Sequence, residues 1–181
     1  MNEELEVLKI VTHRLNKAKI PYLISGSIAA NYYTIPRMTR DIDVVVELKQ
    51  DSVDAFIKLF EKDFYTDREM IKAEVARRGM FNLIHEKHVV KVDFIVRKET
   101  DFQDKMFLRK KEISIQNNAM QIISAEDLVL AKLLWAKDSL SEMQLKDIKN
   151  IIKTVDTLDI GYIDNWIEQL GLREIYRQVA S

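Results

Sequence analysis

Cysteine is absent from the chain, which removes a disulfide scaffold, a thiol nucleophile and any thiolate-ligated zinc or iron–sulfur centre. Proline and glycine are scarce, two and four residues in 181, and no Gly/Ser linker or low-complexity tract divides the sequence. No uncharged apolar run approaches the ~20 residues needed to cross a bilayer. Neither charge is in excess: 28 Lys plus Arg stand against 29 Asp plus Glu, so there is no global basic field to hold nucleic acid. Any such contact must come from a local patch. The opening residues Met1-Asn2-Glu3-Glu4-Leu5-Glu6 are acidic and lack the basic, apolar pattern of a secretory leader. A soluble, cytoplasmic protein with no membrane partner is expected.

What is present is an ordinary globular composition, 47% hydrophobic and 31% charged. Leu5, Leu8, Val11, Leu15 and Ala18 recur on one helical face, so the spacing predicts a helix over 3–18 that Pro21 ends. Tyr22-Leu23-Ile24 reads as a short strand closed by Ser25-Gly26-Ser27, with a short helix over 28–33. Asp41 to Glu47 is a strand, because Val44-Val45-Val46 is β-branched. Helices follow over 51–60 and 67–78, the second expected to stop at Gly79. Hairpins are predicted from 80–84 with 89–96, and from 112–115 with 120–123 through Gln116-Asn117-Asn118. From Ser124 the pattern is helical, with a capping-box-like Ser124 and Asp127 and further helices over 142–154, 160–170 and 172–179. The expected class is α+β. A core over 1–99 precedes a β-hairpin and helical C-terminal lobe over 100–181, across a soft boundary that also allows one compact unit.

The chemistry gathers around few residues. Asp41 and Asp43 lie two apart on a strand, so both carboxylates point to one face. Like charges so placed repel unless a cation lies between them, and oxygen-only ligands suit Mg²⁺ or Mn²⁺. Gly26-Ser27 sits at a strand-to-helix turn, where a missing side chain lets a ligand approach the backbone and a helix start offers N–H groups to phosphate. Asp93, within Val89-Val90-Lys91-Val92-Asp93-Phe94-Ile95-Val96, is costly to bury without a partner, and a shared metal would explain a third aspartate on the same face.

Ile24-Ser25-Gly26-Ser27, then Arg37-Met38-Thr39-Arg40-Asp41-Ile42-Asp43, then a lone Asp on a later strand, resembles the DNA polymerase beta-like nucleotidyltransferase superfamily. Arg37-x-Thr39-x-Asp41-Ile42-Asp43 is similar to the stand-alone minimal and AbiEii-type members. So is Ser124-Ala125-Glu126-Asp127-Leu128, leading to Lys132 and then Lys146-Asp147-Ile148. The resemblance covers about residues 20 to 152. It implies a nucleotidyltransferase-like mixed sheet flanked by helices, and transfer of a nucleoside monophosphate from a nucleoside triphosphate to an acceptor hydroxyl. It further implies that Asp41, Asp43 and Asp93 hold metal, that Asp93 helps to take the acceptor proton, and that Gly26 and Ser27 cradle the phosphates. The acceptor would be RNA or protein, with the chain as the toxin half of a toxin–antitoxin or phage-defence pair and a cognate antitoxin as partner.

Two rivals stand beside this reading. An antibiotic nucleotidyltransferase acting on an aminoglycoside or lincosamide hydroxyl shares the chemistry, although several of those enter the strand as His-Asp-Asp-x-Asp where this chain has Thr39-Arg40-Asp41-Ile42-Asp43. A non-catalytic nucleotide-binding module is the other, against which all three carboxylates speak. Arg37 and Arg40 would contact phosphate or act as counter-charges to Asp41, Asp43 or Glu47. Lys132, set in an apolar stretch, would reach the triphosphate or pair with a structural carboxylate, while Asp147 would fix the helical lobe. Arg77-Arg78 and Arg109-Lys110-Lys111 are solvated faces or RNA contacts. His85 and His88 are expected to be solvated turn residues, not zinc ligands.

Overall fold

The computed structural model describes residues 3–139 and 141–179. In chain order the elements are α1 (Glu3–Lys17), β1 (Tyr22–Ile24), α2 (Gly26–Tyr33), β2 (Asp41–Val46), α3 (Val53–Phe60), β3 (Phe64–Tyr65), α4 (Arg68–Ala76), β4 (Met80–His85) and β5 (Val90–Val96). They continue with α5 (Asp101–Leu108), β6 (Lys111–Ile115), β7 (Asn118–Ile122), α6 (Ala125–Ser139), α7 (Glu142–Thr154), α8 (Ile160–Leu170) and α9 (Arg173–Arg177). One sheet of seven strands takes the order β3-β4-β5-β2-β1-β7-β6. The pairs β2–β5 and β1–β7 are parallel and the others antiparallel, so the fold is α+β with a mixed sheet flanked by helices.

The alternation of β2 and β5 decides what each sheet face does. Ile42, Val44, Val46, Val92, Phe94 and Val96 are buried, and α3 brings Phe56 and Phe60 against Phe94. The aromatic cluster of Phe56, Phe60, Phe64, Phe81 and Phe94 therefore builds the core on that side. The opposite face at the same end carries Asp41, Asp43, Lys91 and Asp93.

The helical lobe closes over α6, which has Leu128, Val129, Leu130, Leu133 and Ala136 buried and packs on α2, α7, α8 and α9. Its start is fixed by polar contacts. Ser124 Oγ accepts from the Asp127 N–H (3.2 Å) and donates to Asp127 Oδ2 (2.7 Å), while the Tyr162 hydroxyl donates to Asp127 Oδ1 (2.6 Å). The guanidinium of Arg109 lies 4.0 Å from the centre of the Tyr162 ring and pairs with Glu126 at 3.1 Å. The β6–β7 hairpin does not stand apart: β7 pairs with β1 through Ile24 and Ile122 and extends the core sheet.

Three local expectations need correcting. The stop after α4 is not made by Gly79 but by Arg78, which takes the left-handed conformation (φ 51°), its guanidinium held by the Arg97 carbonyl at 2.7 Å. Helix α5 was not predicted: Phe102, Met106 and Phe107 stand at helical spacing, but eight residues hold only one repeat of it; Thr100 caps the helix, accepting from the Gln103 N–H at 3.3 Å. His85 is not solvated. It is buried at the end of β4, stacked on His88 and set edge-on to Phe64.

Candidate active site

The site is built where β1, β2 and β5 come together. Strand register sets Asp41 opposite Lys91 and Asp43 opposite Asp93, so an acidic pair from one strand meets an acidic residue from the next on one face. Asn82 of β4 lies opposite Asp93 and continues that row. Asp41 is largely exposed and Asp43 half-buried, and Asp93 is only 8% exposed.

The turn after β1 is shaped around Asp43. Ser25 donates its N–H to the Asp43 carbonyl at 2.9 Å, and Gly26 follows with φ +59°. A Cβ at Gly26 would overlap the Asp43 carboxylate, so both space and backbone conformation call for glycine. The Ser27 backbone N–H, in the first turn of α2, donates to the Asp43 carboxylate. Burial pushes the Asp43 carboxyl above its ordinary range, and the charges of Asp93 and Asp41 add to the effect; Lys132 and the Ser27 N–H oppose it.

A second network faces this one from the helical lobe. Arg37, in the loop before β2, reaches Asp147 of α7 through Nε (3.1 Å) and Nη2 (3.0 Å), and its Nη2 donates to Ser27 Oγ at 2.8 Å. Lys132 Nζ, 3% exposed, donates to Asp147 Oδ2 at 2.9 Å and Gln144 Oε1 at 2.8 Å. Burial lowers the Lys132 ammonium from its usual range. Burial alone would raise the Asp147 carboxyl, but hydrogen bonds from Arg37 and Lys132 outweigh it and hold that carboxyl low. The same Asp147 contact raises the Arg37 guanidinium.

The sequence-predicted residues Gly26, Ser27, Asp41, Asp43 and Asp93 thus meet on one face of the central strands, and Arg37 and Lys132 join each other beside them through Asp147. Arg37 has Asp147 as its counter-charge, not Asp41, Asp43 or Glu47, and Glu47 instead meets Arg97 at 2.7 Å. Arg40 is exposed and makes no ion pair among the described residues. Lys91 and Asn82 were missed. The position of Lys91, two residues before Asp93, signals a shared face, whereas Asn82 is reached only through cross-strand register. The arginines of the basic clusters pair within the chain, Arg77 with Glu74, Arg78 with Glu99 and Arg109 with Glu126, while Lys110 and Lys111 lie near the rings of Phe107 and Tyr33.

The ligand atoms that Asp41, Asp43 and Asp93 offer are all carboxylate oxygens, which suit a hard divalent cation by chemistry. Among the described residues no three His, Asp or Glu side chains already converge as a ligand set. The ammonium of Lys91 lies against Asp93 (2.9 Å) and Asp41 (3.7 Å) instead, a positive charge standing where these carboxylates need one.

No protein family matches the chain in sequence, and neither does any curated protein. Solved structures do match in shape. The chain is similar to the lincosamide antibiotic adenylyltransferase LnuA, in its lincomycin-bound structure, with TM-score 0.56 and 17% identity over 84% of this chain and 96% of that one. It is similar to the antibiotic-resistance factor ANT(2'')-Ia, with TM-score 0.57 and 14% identity over 95% of this chain and 89% of that one. An antigenic nucleotidyltransferase-like protein from Paracoccidioides brasiliensis matches with TM-score 0.54 and 17% identity, over 91% of this chain and 87% of that one. The fold is that of these nucleotidyltransferases.

Proposed function

We propose that this chain is an enzyme, a nucleotidyltransferase that moves a nucleoside monophosphate from a nucleoside triphosphate to an acceptor hydroxyl. The observation that carries the reading is the row of Asp41, Asp43 and Asp93 gathered by the β2–β5 register beside the Gly26-Ser27 turn. Mg²⁺ or Mn²⁺ bound there would neutralise triphosphate charge and ease loss of the acceptor proton. Asp41, Asp43 and Asp93 would supply the ligands, and Asp93 would receive the proton. Gly26 would leave room for phosphate at the α2 start. Ser27, Arg37, Arg40 and Lys132 would offer donors to its oxygens. The acceptor oxygen bonds to the α-phosphorus, the bond from that phosphorus to the bridging oxygen breaks, and pyrophosphate leaves with the electron pair. Positioning and charge neutralisation do most of the work in such a transfer.

A small-molecule acceptor has the better support. The adenylyltransferase that carries lincomycin matches this chain along nearly all of its own length. The arginines that would otherwise offer a basic RNA surface are paired with carboxylates. The second reading, RNA or protein modification by a toxin half with an antitoxin partner, draws on the Arg37-x-Thr39-x-Asp41-Ile42-Asp43 resemblance. Incubating the protein with Mg²⁺ and each labelled nucleoside triphosphate, against lincosamides, aminoglycosides, total RNA and the protein itself, separates them. Label is expected in a small molecule; label in RNA or protein instead moves the acceptor to the second reading. Transfer that survives in Asp41→Ala/Asp43→Ala overturns the site.

A further inference from the structure

We propose that Lys91 is the resident counter-ion of the carboxylate face and that a divalent cation must displace its ammonium to bind, so that Lys91 sets the metal affinity of the site. The inference rests on the metal-dependent reading above and adds a residue to it. Lys91 faces the same way as Asp93, two residues on, and as Asp41, its register partner across the β2–β5 pair. Its Nζ lies 2.9 Å from Asp93 Oδ2 and 3.7 Å from Asp41 Oδ1. Among the described residues no other cation is within ion-pair distance of either carboxylate. Lys132 and Arg37, the other cations near the face, pair with Asp147 and not with Asp41 or Asp93.

The chemistry of lysine suits a removable plug. An ammonium is a compact point charge on a flexible stem, without the fixed fork that ties a guanidinium to a carboxylate. The Lys91 side chain is 41% exposed, so its head can turn to water while the stem stays on the sheet. Three neighbouring carboxylates without a counter-charge would repel one another. With Lys91 in place they are neutralised in part, and a divalent cation gains only the difference between its own attraction and that of the ammonium it replaces. Lys91 is thus a positioning residue: it keeps Asp41 and Asp93 together in the metal-free protein and competes with the ion that needs them.

Mn²⁺ binding without nucleotide, followed by the electron paramagnetic resonance of free Mn²⁺, tests this on the full chain. Lys91→Met is expected to bind Mn²⁺ about tenfold more tightly than the parent, and Lys91→Arg to stay within about threefold of it. Mn²⁺ should also raise the thermal midpoint of Lys91→Met by more than that of the parent. Should the methionine variant fail to fold, Lys91→Gln carries the same expectation. Equal or weaker binding after removal of the charge overturns the role of Lys91 while leaving the metal reading intact. No Mn²⁺ binding by the parent or any variant at millimolar concentration overturns both.

Discussion

Asp43 can occupy its place only because residue 26 has no side chain: a Cβ there would meet the carboxylate, on a backbone already at φ +59°. Gly26→Ala is therefore expected to cost about 1 kcal/mol for the left-handed backbone alone, and more for moving Asp43. Calorimetry should show the lower midpoint, and labelled transfer should fall further than the stability loss explains. Asp43 itself is a site of tension. Its carboxyl is raised by burial and by Asp93 and Asp41, so the metal-free fold prefers it protonated. Its charge therefore costs stability as pH rises from the ordinary value of 3.8 through the raised one. Asp43→Asn should raise the melting temperature of the metal-free protein at pH 7 while abolishing transfer. Gly26, Asp41 and Asp43 were legible in sequence because their signal is local, a turn and a spacing of two. The partners that complete the face, Lys91 opposite Asp41 and Asn82 opposite Asp93, depend on which strands pair.

Among the elements, the bridge between the β2 entry loop and the α6–α7 hairpin holds the site's two sides in register. Asp147 is its centre, with Arg37 on one side and buried Lys132 on the other. Asp147→Ala would strand a buried ammonium and is expected to cost about 3–5 kcal/mol. Lys132→Met should cost less, since Asp147 keeps Arg37 and the new side chain suits its apolar surroundings. Urea unfolding of both variants gives the comparison, and a costlier Lys132→Met would contradict this asymmetry. The Asp147 carboxyl is held below its ordinary 3.8, so its contribution is fully present above that value and is lost as pH falls through the lowered one. Acid titration followed by tryptophan fluorescence should therefore show a loosening of the helical lobe that Asp147→Asn lacks. At this scale the sequence was informative where periodicity was strong, as in α1 and α7, or where a capped start led into a long apolar run, as in α6. It was silent where the element was too short to show a period, as in the eight-residue α5 and the two-residue β3. The β6–β7 hairpin could be read from its turn, but its attachment to β1 at Ile24–Ile122 spans most of the chain and leaves no local mark.

Taken whole, the molecule sets an acidic patch on one face of the central strands β2 and β5 beside two cations, Arg37 of the β2 entry loop and Lys132 of α6, that meet at Asp147. Phosphate charge entering between them would meet Arg37 and Lys132 on one side and, with a divalent ion bound, a neutralised carboxylate row on the other. On the proposed reading the acceptor attacks the α-phosphorus, and the terminal phosphate leaves as part of pyrophosphate. The most direct measurement uses one nucleoside triphosphate labelled either on the α- or on the γ-phosphorus, with Mg²⁺ and the acceptor panel. The expected result is α-label in the acceptor and γ-label in pyrophosphate, both lost in Asp41→Ala/Asp43→Ala. Label entering the acceptor from the γ-position, or transfer undiminished in that double variant, would contradict the account.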